Sequence, residues 1–114
     1  NIELTATCVR IPVLISHAES VNIQFKKPFS IEKVKEALDK ADGCEVYDSR
    51  KDGGYSTPVE ATGKDETFIS RIRKDKTNKN TLNLWIVSDN LLRGAALNSV
   101  EIAETVIKYN LHEK

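Results

Sequence analysis

Polar and apolar positions alternate most strictly over residues 18–26, AESVNIQFK, where Val21, Ile23 and Phe25 fall on one face and Asn22, Gln24 and Lys26 on the other. A period of two predicts a half-buried antiparallel strand, and Pro28 ends it. Residues 2–15 are rich in Ile, Val, Leu and Thr and predict an earlier strand, with Pro12 limiting its pairing near the middle. The period then changes to that of a helix. Ile31, Val34, Ala37, Leu38 and Ala41 follow Ser30, a good N-cap, and Gly43 supplies the stop.

CEVYD, from residue 44, reads as a short strand, and residues 49–66 as a loop carrying Gly53, Gly54, Gly63 and Pro58. A connection of that length in a compact domain is usually functional or faces a partner. TFISRIRKD and TLNLWIVSD predict two further strands, joined by the polar turn KTNKN, whose asparagines suit positive φ. From Asn90 onward, Leu92, Ala95, Ala96, Val100, Ala103, Val106 and Ile107 form the apolar stripe of a last helix. Gly94 is costly inside it, which predicts close approach of another surface. The predicted order is β-β-α-β-β-β-α, an α+β fold with helices covering an antiparallel or mixed sheet.

Composition narrows the class. The 114 residues suffice for one modest core, and 39% hydrophobic with 30% charged residues fits a soluble globular chain. Seventeen basic residues balance seventeen acidic ones, so no net charge favours nucleic acid. No apolar run reaches the ~20 residues that span a bilayer. Cys8 and Cys44 make neither a disulfide framework nor a zinc spacing, so cytoplasmic residence is the default expectation. The chain has no methionine and opens directly in strand-like pattern, which predicts a piece of a longer protein.

Arg10 and His17 are the candidate chemistry. Arginine can fork two hydrogen bonds to a carboxylate, and histidine can move a proton near neutrality. Together they suit a small carboxylate substrate. A straight strand would hold them roughly 23 Å apart and on opposite faces, so a shared site requires a bend, expected at Pro12 or within ISHAES. The plainer alternative makes Arg10 a solvent-facing strand residue and His17 a turn residue. Spacing alone leaves both open.

Three stretches, TATCVRIPVLISHAES, STPVEATGKDETFISRIRKD and LNLWIVSDNLLRGAALNSVEIAE, resemble the C-terminal part of the aspartate-β-semialdehyde dehydrogenase family, in family order and spacing. The resemblance implies a glyceraldehyde-3-phosphate-dehydrogenase-like catalytic and dimerisation domain over residues 1–88. It also implies that residues 89–114 form a terminal helix packing on an N-terminal Rossmann domain, which would bind NADP. It makes Arg10 the grip for the substrate carboxylate, His17 the acid/base group and Asn90 a cofactor-binding residue. The implied reaction is NADPH-dependent reductive dephosphorylation of aspartyl-4-phosphate to aspartate semialdehyde, in lysine, threonine and methionine biosynthesis. A homodimer or homotetramer with a small-molecule substrate follows, with neither nucleic acid nor membrane as partner. The family's nucleophilic Asn-Cys-Thr-like motif and its glycine-rich nucleotide fingerprint do not occur among these residues, so Cys8 and Cys44 read as structural thiols and the chain alone as inactive. N-acetyl-glutamyl-phosphate reductase is a related reading, but there the histidine precedes the arginine. A non-catalytic interaction module is the third.

The remaining features have plain readings. Arg71 and Arg73 are expected on one solvated strand face with carboxylate partners, Trp85 in the core, and His112 in a solvated tail. GKD at 63–65 lacks the rest of a phosphate loop.

Overall fold

A computed structural model describes residues 2–111; His112 lies outside the described residues. The elements are β1 (His17–Gln24), α1 (Ile31–Asp39), β2 (Cys44–Val46), α2 (Pro58–Ala61), β3 (Thr67–Lys74), β4 (Thr81–Ser88), a π-helical turn (Leu92–Ala96) and α3 (Leu97–Lys108). They build one four-stranded sheet in the order β1-β4-β3-β2. β1 and β3 run antiparallel to β4, while β2 lies parallel to β3. The sheet is therefore mixed.

Two expectations are corrected. Residues 2–15 form no strand within the described residues. β1 is an edge strand whose outer side these residues do not join, and an extended segment without a partner strand cannot close a ladder. Pro12 adds to this by turning the chain locally, with the Val13 N–H donating to the Ile11 carbonyl at 2.9 Å, the bond of a γ-turn. The 49–66 connection also holds a short helix, α2, whose Thr57 and Glu60 form a capping box.

The core lies between the sheet and α1. Register places Val21 opposite Leu84 and Ile23 opposite Leu82, so all four share the face that α1 covers. Val34 and Leu38 of α1 pack there against Ile69, Ile72, Leu82 and Leu84. Ser30 caps α1 as its sequence predicts, its hydroxyl accepting from the Lys33 N–H at 3.2 Å.

A β-bulge in β3 keeps Ile72 on that face. Register shifts between Ser70 and Arg73, and Arg71 is the additional residue, at φ 54°. Without the bulge, alternation would turn Ile72 to the opposite face. The β3–β4 turn is held by Asp75, whose carboxylate accepts from the Thr77 and Asn78 N–H groups and from the Asn83 amide. Asn80 closes it at φ 55°, as the KTNKN pattern predicts.

The last helix begins with a π turn rather than an ordinary α turn, its Ala96 N–H reaching back to the Leu91 carbonyl at 3.0 Å. No residue of α3 is buried. Gly94 has open space around it, since an added Cβ would meet only Asn90 Cβ, at 3.8 Å. The close approach expected there does not come from the described chain. Arg93 ties this region down, donating to the Asp65 and Gly43 carbonyls and pairing with Glu101. A Cβ on Gly43 would collide with that guanidinium, which adds a packing reason to its positive φ of 73°.

Ile72 is fully buried in the core cluster. Replacing it by alanine should cost about 3 kcal/mol of stability, read as a lower urea midpoint at unchanged slope. Lys26→Ala, at an exposed position, should stay within about 0.5 kcal/mol.

Candidate active site

Four segments converge where β1 begins and β4 ends. Ser16 is buried and left-handed, at φ 73°, an uncommon conformation for a residue with a Cβ. Its N–H donates to Asn90 Oδ1 at 2.7 Å, and its Oγ lies 3.0 Å from Thr62 Oγ1. The backbone reversal at Ser16 sends the chain into β1, so that His17 stands opposite Ser88. His17 Nε2 lies 3.1 Å from Ser88 Oγ, and Nδ1 lies 3.5 Å from Glu19 Oε1.

Asp89 fixes the other side of the site. It is only 3% exposed and accepts from the N–H groups of Gly63 at 2.8 Å, Leu91 at 2.7 Å and Leu92 at 3.2 Å. Asp89 thus caps the terminal helical segment. The Gly63 bond also removes GKD as a phosphate loop, because its first N–H is already committed. These donors hold the Asp89 carboxyl below the usual carboxylate range, Gly63 contributing most, with burial opposing and Leu91 and Leu92 assisting.

The three sequence-predicted residues are distributed unevenly. His17 and Asn90 come together through Ser16, which is bonded to one and adjacent to the other. Arg10 stands exposed in the segment before β1 and forms no hydrogen bond or ion pair among the described residues. Both expected bends between Arg10 and His17 occur, at Pro12 and at Ser16. Asn90 keeps its Nδ2 amide unbonded among the described residues, next to the open surface of Gly94.

Sequence reasoning missed Ser16, Thr62, Ser88 and Asp89, all brought together by tertiary contact. Glu19 was missed as well, because the predicted strand begins at residue 18 whereas the observed one begins at His17 and so sets the two on one face. Of the thiols, Cys44 packs against the core, whereas Cys8 is exposed and has no packing role within this chain.

On the sheet face away from α1, Arg71 and Arg73 line an open cleft of about 320 Å³ with Tyr55, Trp85 and Ser20. The expected carboxylate partners are replaced. Arg71 lies over the Tyr55 ring, 5.7 Å from its centroid, and Arg73 Nη1 donates to the Arg71 carbonyl at 2.7 Å. Trp85 is half-buried, and its Nε1 donates to the Ser56 carbonyl at 2.9 Å.

Fold and site together define an α+β sheet domain that gathers polar side chains at the end where its first and last strands meet. The chain belongs to the family described as semialdehyde dehydrogenase, dimerisation domain, whose model matches residues 1–93. It is 45% identical over 108 residues to an aspartate-semialdehyde dehydrogenase of Rickettsia bellii, covering 95% of this chain and 32% of the relative. It is 44% identical to that of Aquifex aeolicus over 111 residues, covering 97% of this chain and 33% of the relative. Among solved structures, aspartate semialdehyde dehydrogenase II of Vibrio cholerae, crystallised in complex with ASA, superposes with a TM-score of 0.78 at 36% identity. That match covers 86% of this chain and 29% of the other. The chain therefore spans about a third of the length of these relatives.

Acid should expose the two depressed carboxyls. Thr77 contributes most to holding Asp75 low, through its hydroxyl and then its N–H, with Asn83 and Asn78 assisting. Because the folded-state values lie below the unfolded ones, this stability is present above pH ~4 and is lost as pH falls through the folded-state values. The urea midpoint should drop on acidification, and Asp75→Asn or Asp89→Asn should each flatten that drop while lowering the midpoint at neutral pH.

Proposed function

We propose that this chain is the catalytic and dimerisation part of an aspartate-semialdehyde dehydrogenase, which carries out NADPH-dependent reductive dephosphorylation of aspartyl-4-phosphate. One observation carries the reading: His17 is held at a strand end by a left-handed turn at Ser16 and is flanked by a hydroxyl and a carboxylate. The bent approach from Arg10 and the close relatives support it.

In this reading His17 takes the proton from the attacking thiol and later returns one to the developing oxyanion, working as base and then acid. Arg10 grips the substrate carboxylate with its two-pronged guanidinium, which keeps the reacting carbon in line. An exposed, unpaired arginine is available for that duty. NADP, when bound, supplies the hydride. Asn90 would meet its nicotinamide end through the unbonded Nδ2 amide, and the open surface at Gly94 leaves room for it. Cys8 and Cys44 are not the nucleophile in this reading.

Residues 89–114 would pack on an N-terminal Rossmann domain. The exposed apolar residues of α3 support this, with Val100 55%, Ile102 56% and Ile107 66% exposed. The family's description supports a homodimer as the minimal assembly, a homotetramer being its possible doubling.

The test is NADP- and phosphate-dependent oxidation of aspartate semialdehyde by the whole protein. His17→Gln should lower kcat by about 10²–10⁴-fold with little change in KM. Arg10→Ala should raise KM by about 10–100-fold, the loss of one charged hydrogen-bonded contact. Full activity in His17→Gln would overturn the reading. A whole protein that assembles but has no activity would point to the interaction module instead.

A further inference from the structure

We propose that Glu19 is a positioning residue for His17: its carboxylate fixes the ring tautomer with the proton on Nδ1, leaving Nε2 as the working nitrogen against the Ser88 hydroxyl. The inference rests on the acid/base role proposed for His17 and adds to it which nitrogen works and what selects it.

The sheet makes this arrangement. His17 and Glu19 are two residues apart on β1, hence on one face, and register sets them opposite Ser88 and Ile86 of β4. The ring is therefore bracketed, with Glu19 Oε1 3.5 Å from Nδ1 and Ser88 Oγ 3.1 Å from Nε2. The two neighbours differ in what they can do. An ionised carboxylate only accepts, so in the neutral ring it selects a proton on Nδ1. A hydroxyl can donate as well as accept, so Ser88 turns its O–H towards the lone pair left on Nε2. The hydrogen bond donated by Ser88 and a favourable charge contact with Glu19, at 3.5 Å longer than a hydrogen bond, coexist only in this tautomer. Exchanging the ring proton would set a lone pair against the carboxylate.

Exposure indicates what kind of effect to expect. The His17 and Glu19 side chains are 47% and 54% exposed, so their pairing adds little to folding. Ser88, by contrast, is buried, and the β1–β4 register fixes its place. A weak contact that favours one of two near-equivalent ring forms changes the population of the competent form without changing stability. When substrate arrives, Ser88 need only rotate its hydroxyl to release Nε2. Proton transfer then passes between Nε2 and the reacting sulfur or oxygen, while Nδ1–H stays against Glu19 throughout.

The deciding experiment is ¹⁵N NMR of the imidazole nitrogens in the whole protein, recorded where the ring is neutral. The His17 signals are assigned by their loss in His17→Gln. Wild type should show a protonated Nδ1 and an unprotonated Nε2. Glu19→Leu should move both signals towards a mixed or reversed tautomer and lower kcat by about two- to fivefold, the range open to a half-exposed pair, with KM and the urea midpoint unchanged. Glu19→Gln, whose amide can donate as well as accept, should give signals between those of wild type and Glu19→Leu. A protonated Nε2 in wild type, or Glu19→Leu with wild-type signals and kcat, overturns the inference even if His17→Gln is inactive. Full activity in His17→Gln instead removes the acid/base reading on which the inference rests.

Discussion

The pairing of β1 with β4 is the constraint on which the rest depends. It joins residues 57 to 71 positions apart in sequence in an eight-residue register running from His17 opposite Ser88 to Gln24 opposite Thr81. One end of that ladder builds core, through Val21 with Leu84 and Ile23 with Leu82. The other end builds the site. Because side chains alternate with period two, a slip of one residue would remove Val21 and Ile23 from α1 and turn His17 away from Ser88 together. The apolar face that fixes the register thus also places the polar cluster, without polar contacts having to supply the energy.

The two strands differ in how they leave this ladder. β1 is entered through Ser16, whose left-handed backbone is retained because its N–H and Oγ are both engaged, by Asn90 and Thr62. β4 is left through Asp89, which collects N–H groups from both the loop after α2 and the terminal helical turn. Asp89 and Asn90 therefore hold different segments. Asp89 holds the helical turn that follows it and the loop at Gly63, whereas Asn90 holds the segment that leads into His17. Arg93 extends the anchoring to the loops at Gly43 and Asp65. The π turn between them widens the helix where Gly94 and Ala95 are exposed, the kind of irregularity that often accompanies a functional surface.

Much of this was legible because it is local. Period two gave β1, β3 and β4, period 3.6 with a Ser cap gave α1, and KTNKN gave its turn. The resemblance singled out His17 and Asn90, but a strand predicted to start at residue 18 left His17 unpaired with Glu19. What was not legible depends on tertiary partners. Residues 2–15 have strand composition, but a strand is a relation between two segments, and these residues pair with none of the four strands. The β3 bulge shows no glycine, and Ser16 lacks the Gly or Asn that usually marks positive φ. Ser88 and Asp89 carry no mark of their roles in the sequence, and only the fold reveals that one reaches His17 and the other reaches Gly63. Arg71 and Arg73 were expected to find carboxylates, whereas a tyrosine ring and a carbonyl take those places.

The two segments flanking the sheet share a physical property. Residues 2–15 expose Ile2, Leu4, Val9 and Leu14 at 93%, 85%, 76% and 104%, and α3 exposes Val100, Ile102 and Ile107. Exposed apolar side chains in that number are unfavourable in water and mark surfaces that meet something else. Both segments connect directly to the polar cluster, one through Ser16 and the other through Asp89 and Asn90. Whatever covers them bears on the same few hydrogen bonds that set His17. Both flanks therefore adjoin the hydrogen bonds made by Ser16, Asp89 and Asn90. The register of the sheet places the cluster from one side, and the exposed apolar flanks adjoin it on the other.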